Sequence, residues 1–145
     1  MPESFEERTV IDAPRAQVWK VLEDVDGVTA WFAPIVASTT TGSGKGAQRA
    51  LTFADGARTV EHFDVWEPSR SIAYHITGLE PVAPTSTWTL LDAGEGTEVR
   101  YRMVLEGPPE AAKGAQAQLQ PLIRFILASL KHHVETGKRL EQPPA

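Results

Sequence analysis

The spacing of apolar and polar positions changes period several times along the chain, and each change marks an element. Ser4 to Ile11 alternates weakly and ends in β-branched residues, which predicts an edge strand. In "DAPRAQVWKVLEDV" the period becomes helical, with Val18, Val21, Leu22 and Val25 on one stripe. Asp12 is the expected N-cap, Pro14 suits the first turn, and Asp26-Gly27 is the expected stop. "VTAWFAPIV" predicts a short second helix or turn that ends before Pro34. From Ile35 to Glu106 the pattern is strand, turn, strand. Six strands are punctuated by "TGSGKG", "DG", "EPSR", "GLEPVAPT" and "DAGEGT", with hairpin-length gaps that require antiparallel pairing. "GPPE" then opens a long helix over roughly Pro109 to Gly137. Its stripe is Leu119, Leu122, Ile123, Ile126, Leu130 and Val134, and Pro121 inside it predicts a kink or break. "EQPPA", residues 141–145, reads as a frayed tail, and residues 1–140 as a single domain.

An amphipathic helix of roughly 25 residues needs an apolar surface to cover. The only candidate is one face of the antiparallel sheet. The fold class is therefore α+β, a curved seven-stranded antiparallel sheet wrapped around the C-terminal helix, with two short helices after the first strand.

Turn chemistry fixes which residues share the inner face. A two-residue turn at Pro68-Ser69 sets Val65 opposite Ile72, Phe63 opposite Tyr74 and Glu61 opposite Ile76. His62 then opposes His75 on the outer face. Pairing Asp92 with Thr97 sets Leu90 opposite Val99, Trp88 opposite Tyr101 and Ser86 opposite Met103. At "ADGAR" a three-residue turn, with Gly56 in the left-handed region, places Leu51 opposite Glu61 and Arg49 diagonal to it. A two-residue turn would split the apolar set between faces. The expected inner face is Arg49, Leu51, Phe53, Glu61, Phe63, Val65, Ile72, Tyr74, Ile76, Ser86, Trp88, Leu90, Thr97, Val99, Tyr101 and Met103. It is apolar with a few polar points, the mixture that an organic-ligand pocket needs.

Arg49 and Glu61 are out of place on such a face. Both charges there are costly unless they pair or meet a ligand. One reading is a structural ion pair. The other is a polar pole of a ligand site, with Arg49 holding a carboxylate, phenolate or carbonyl oxygen and Glu61 orienting it or acting as a base. Phe63, Tyr74, Trp88 and Tyr101 would supply aromatic walls. Trp19 and Trp31 are expected to pack the small helices, with Trp31 and Phe32 at the mouth.

Composition narrows the chemistry. The net charge is −5, which argues against a nucleic-acid groove or an anionic membrane surface. There is no cysteine, so disulfides, thiolate catalysis and Cys-based metal sites are excluded. No apolar run is long enough to span a bilayer, and "MPESFEERTV" lacks the regions of a secretory signal, so a cytoplasmic location is the expectation. "GSGKG" lacks Walker spacing and no Gly-x-Ser-x-Gly elbow occurs. His62 and His75 are too few for a metal site, and the adjacent His132 and His133 lack zinc spacing. No metal and no cofactor are expected. Any chemistry would be general acid/base work by Glu61, the tyrosines or a cavity-facing His.

The stretches "IDAPRAQVWKVLEDVDGVTAW" at 11–31, "GKGAQRALTFADGARTVE" at 44–61, "WEPSRSIAY" at 66–74 and "GEGTEVRYR" at 94–102 resemble the START-like, birch-pollen-allergen-like helix-grip superfamily (SRPBCC). Within it they resemble the polyketide cyclase/dehydrase-like branch. The resemblance implies a cavity between sheet and long helix that holds an apolar or aromatic small molecule. Three functions compete: a carrier or binding protein for such a molecule, a cyclase or dehydratase using acid/base chemistry, and a chaperone-cofactor-like interaction module. The last would show an apolar outer patch, from Val60 and Trp66. A homodimer is compatible with each.

Overall fold

The computed structural model describes residues Pro2 to Pro144; Met1, and Ala145 of the expected tail, lie outside the described residues. Strand β1 (Glu3–Ile11) buries Phe5 and Ile11. Helix α1 (Arg15–Glu23) buries Val18, Trp19 and Leu22, and a 3-10 segment follows at Val25–Ala30. Then come β2 (Ile35–Thr41), β3 (Gln48–Phe53), β4 (Arg58–Glu67), β5 (Ser71–Thr77), β6 (Ala83–Ala93) and β7 (Gly96–Glu106). Helix α2 (Pro109–Thr136) closes the fold. The strands form one antiparallel sheet in the order β1-β7-β6-β5-β4-β3-β2. The inner residues of these strands and the Ile123, Ile126 and Leu130 stripe of α2 belong to one core, as the expected α+β helix-grip architecture requires.

Most of the registers stand as read. Asp92 faces Thr97, Leu90 faces Val99, Trp88 faces Tyr101 and Ser86 faces Met103. Phe63 faces Tyr74, Glu61 faces Ile76, and His62 faces His75 on the outer side. The hairpin of β3 and β4 does have a three-residue loop, but one residue earlier than expected, at Ala54–Gly56. Phe53 N–H donates to the Ala57 carbonyl there. The partner of Glu61 is therefore Arg49 directly, and Leu51 faces Thr59. The faces are unchanged because the pairing moves by two residues.

One face assignment is overturned. A bulge between Phe63 and Val65 shifts the register, so Trp66 rather than Val65 faces Ile72. Val65 is exposed, and Trp66 turns inward, edge-on to Trp19 at 5.3 Å and to Phe63 at 5.6 Å between ring centroids. The extra residue exchanges burial of a valine for burial of a larger indole. The turn that follows has three residues, Pro68 to Arg70, with Ser69 at φ +60° and Arg70 N–H donating to the Glu67 carbonyl. The expected outer patch of Val60 and Trp66 therefore does not form.

Three further expectations change. Asp12 does not cap α1; Pro14 holds that position without a side-chain cap, and Asp12 instead donates its backbone N–H to Glu135 of α2. Asp26-Gly27 does not stop α1, which ends at Glu23. It lies within the 3-10 segment, which starts before "VTAWFAPIV". Asp26 is held there by β2, accepting from the Ser38 and Thr40 hydroxyls and from Thr40 N–H. Helix α2 is not broken at Pro121, which sits on its exposed face. It ends on Gly137, in the left-handed conformation at φ +76°.

Both outer strands have side chains on their backbones. Lys131 Nζ donates to the Val10 carbonyl at 2.6 Å, close to the Asp12–Glu135 bond, at the end of β1. On β2 the Asp26 carboxylate accepts the Thr40 backbone N–H. Beyond α2, Arg139 donates to the Thr29 carbonyl and Leu140 bridges Phe32, while Glu141 to Pro144 are exposed.

Candidate functional site

The pleat of β3, β4 and β5 aims Arg49, Glu61, Phe63 and Tyr74 at the underside of α2. That of β6 and β7 aims Ser86, Trp88 and Tyr101 beside them. Arg49 Nε donates to Glu61 Oε1 at 2.7 Å, and Nη2 meets the same oxygen. Arg49 Nη1 donates to the Val25 carbonyl at 2.8 Å, which ties the pair to the 3-10 segment. The two side chains are only 11% and 8% exposed, so this is a buried pair. The guanidinium carbon also lies 5.6 Å from the Phe63 ring centre and 6.0 Å from that of Tyr74.

A second polar chain runs beside the first. Trp88 Nε1 donates to the Tyr74 hydroxyl at 3.0 Å, and Tyr101 donates to Ser86 Oγ at 2.6 Å. The two hydroxyls are 3.4 Å apart. With the Tyr101 proton on Ser86, the remaining proton runs from Tyr74 to Tyr101. Burial pushes the Tyr74 hydroxyl well above the ordinary tyrosine range, and the Glu61 carboxylate adds to that. Burial pushes Tyr101 up to about 12 against its bonds to Ser86 and Tyr74. For Arg49, burial works against the charge, but the Glu61 carboxylate outweighs it and its pKa is raised.

Two cavities flank this set. The larger, about 60 Å³, lies under the N-terminal half of α2, lined by Phe32, Leu51, Phe53, Glu61, Tyr101, Met103, Leu119, Leu122 and Ile123 among others. The smaller, about 20 Å³, lies against α1 and the 3-10 segment, lined by Val21, Leu22, Asp24, Val25, Val28, Trp31, Arg49, Phe63, Ile72 and Trp88. Tyr74 and Ile126 line both, so together with the Arg49–Glu61 pair they form the partition. Each space holds only a water or two.

All six residues singled out from the sequence, Arg49, Glu61, Phe63, Tyr74, Trp88 and Tyr101, line one cavity or the other. Trp31 and Phe32 are deeper than a mouth, at 4% and 2% exposed. Sequence reading missed Ile126 as a wall, and it missed Val25, whose carbonyl holds Arg49. The helical stripe marked Ile126 as core, but no residue pattern marks a backbone carbonyl. His62 and His75 stack on the outer face at 4.6 Å, bonded to Thr77 and Asp64. Neither His132 nor His133 lines either of these two cavities. No group of three or more His, Asp or Glu placed to hold a metal occurs among the described residues. No helix among them is long and apolar enough to cross a membrane.

A sheet gripping a long helix, with a partitioned apolar cleft between them, defines the helix-grip class. The sequence profile described as polyketide cyclase / dehydrase and lipid transport matches residues 2–135, and the chain belongs to that family. Among solved structures it is similar to the Zhui aromatase/cyclase of Streptomyces sp. R1128. Identity is 20% and the TM-score 0.81, over 93% of this chain and 94% of that one. It is similar to Ara h 8.0201 at 18% identity and TM-score 0.74, over 94% and 99%. It also matches part of the di-domain ARO/CYC BexL from the BE-7585A biosynthetic pathway, at 20% identity and TM-score 0.79, over 92% of this chain and 46% of that one. No curated protein sequence matches the chain.

Proposed function

We propose that the protein binds an apolar or aromatic small molecule in the cleft between sheet and α2, as a carrier or binding protein, with Arg49 as the polar anchor. The observation that carries this reading is the partition itself. A mainly apolar space, with Glu61 at its edge, and a space with a guanidinium in its wall meet at Tyr74 and Ile126. A fused-ring ligand needs several hundred Å³, so binding requires the partition side chains to rotate or α2 to lift. Membership of a family described by cyclases, dehydrases and lipid transport supports the ligand class.

A cyclase or dehydratase is the second reading, favoured by the burial of Arg49, Glu61 and two tyrosines in one place. Against it, both hydroxyls are engaged and their pKa values are raised, which makes them weak proton donors near neutrality. The interaction-module reading loses its patch, because Trp66 turns inward.

The test is a binding titration with a panel of aromatic carboxylates, phenols and ketones on the wild type and on Arg49→Met. An anchoring Arg49 predicts weaker binding of the oxygen-bearing probes by the variant. Equal binding by both proteins makes the pair scaffold only. Turnover of a ketone probe would favour the enzyme.

A further inference from the structure

Buried N–H groups in folded proteins nearly all have an acceptor. Trp88 follows that rule through the Tyr74 hydroxyl. Trp31 does not: it is 4% exposed, and its Nε1 is sealed from solvent with no hydrogen-bond partner among the described residues. The same side chain stands in the wall of the smaller cavity, beside Arg49, and the opening of the cleft that binding already requires must uncover Nε1 before an oxygen reaches it. An indole N–H with no protein acceptor carries a desolvation cost that an oxygen entering the cleft would offset. A phenylalanine would wall the space without that cost.

Charge is the second observation. Arg49 is already answered by Glu61, so the pair brings no net charge to the cleft. A carboxylate entering it would add a negative charge with no free countercharge on the pair. A neutral oxygen can accept the indole N–H without that penalty.

We propose that Trp31 Nε1–H is a specificity-determining donor for the carbonyl or phenol oxygen of a neutral aromatic ligand. This inference rests on the cleft-binding reading and narrows its polar end: Trp31 joins Arg49 there, and the oxygen they hold is neutral rather than a carboxylate. The oxygen sits in the smaller cavity, and the apolar body crosses the Tyr74–Ile126 partition into the larger one. No bond is made or broken.

Three naphthalenes of similar shape test it by calorimetry: 2-acetylnaphthalene, 2-isopropylnaphthalene and 2-naphthoate. The wild type should bind the ketone about five- to tenfold more tightly than the hydrocarbon, the usual range for one hydrogen bond, and the anion most weakly. Trp31→Phe should bring the ratio of ketone to hydrocarbon affinity to about one, whatever the loss of wall surface does to both affinities. The chain has four tryptophans, so a nitrogen-15 spectrum gives four indole signals to follow. One should move downfield with the ketone and stay with the hydrocarbon. Its absence from the Trp31→Phe spectrum identifies it; if that variant does not fold, Phe variants of Trp19, Trp66 and Trp88 identify it by elimination. Equal affinity for ketone and hydrocarbon, tighter binding of the anion, or a ketone preference that survives in Trp31→Phe overturns the inference and leaves the cleft reading standing. No binding by any of the three overturns both.

Discussion

Removing one member of the Arg49–Glu61 pair and removing both should have very different effects on stability. Arg49→Met keeps the aliphatic stem and deletes the guanidinium. It strands the Glu61 carboxylate, 8% exposed, and the Val25 carbonyl, which Nη1 had satisfied. Breaking a buried pair from one side costs about 3–5 kcal/mol, mostly because of the charge left behind. Glu61→Leu strands the guanidinium instead, but Arg49 keeps the Val25 carbonyl, so its loss should fall at the lower end, about 3 kcal/mol. In the double variant neither charge is buried alone. Only the Val25 carbonyl lacks its partner, which costs about 1–2 kcal/mol and is offset by apolar packing against Phe63 and Tyr74. The double variant should therefore lie within about 1–2 kcal/mol of wild type, a coupling of several kcal/mol. Urea titrations of the four proteins measure this, provided their m-values agree. Additive single losses, with coupling below about 1 kcal/mol, would mean that the pair behaves as a solvated surface bridge. The buried-charge reasoning would then be wrong.

Ile126→Ala removes three buried carbons, worth roughly 2.4 kcal/mol, and the cavity left behind should bring the loss to about 3–5 kcal/mol. A loss below about 1 kcal/mol in a denaturant titration contradicts its place in the partition. Alkaline titration tests the tyrosines, of which the chain has two. Tyr101 is raised to about 12 and Tyr74 also lies well above the usual range, so the folded state keeps protons that the unfolded chain releases near pH 10. Their contribution to stability is intact below pH 10 and is lost as pH rises toward about 12. Absorbance at 295 nm should therefore stay flat at about pH 11, where an exposed tyrosine is about nine-tenths ionised, for as long as circular dichroism reports a folded chain. A tyrosinate signal that rises near pH 10 with the fold intact refutes the assignment.

The sheet was readable where turn and alternation agreed. Asp92 to Thr97 set every pair of the β6–β7 hairpin because one short turn serves two long strands. At "ADGAR" the loop length was legible but its position was not. Ala54 N–H is held by the Pro34 carbonyl, a contact from outside the hairpin, and Asp55 accepts the Ala57 N–H. The bulge before Trp66 was hidden for a similar reason. "FDVW" offers two apolar residues to one inward position, and the presence of Trp19 on α1 decides between them. The aromatic walls were visible because strands display alternate residues. The Val25 carbonyl comes from the 3-10 segment and Trp31 from the residue just after it, where no period says which atoms point inward.

The side chains laid on the two border strands constrain how this protein can assemble. A sheet with a bare border invites another strand, from a second copy or from a misfolded neighbour. Here Lys131 sits on the Val10 carbonyl at one border, and Asp26 takes the Thr40 amide at the other. An incoming strand would have to displace a charged group before it could form a ladder at either place. Growth of the sheet into fibrils or strand-swapped pairs is thus disfavoured by the native contacts themselves, even though α2 leaves those borders partly in water. Self-association is thereby steered toward other surfaces, such as the outer face of the sheet.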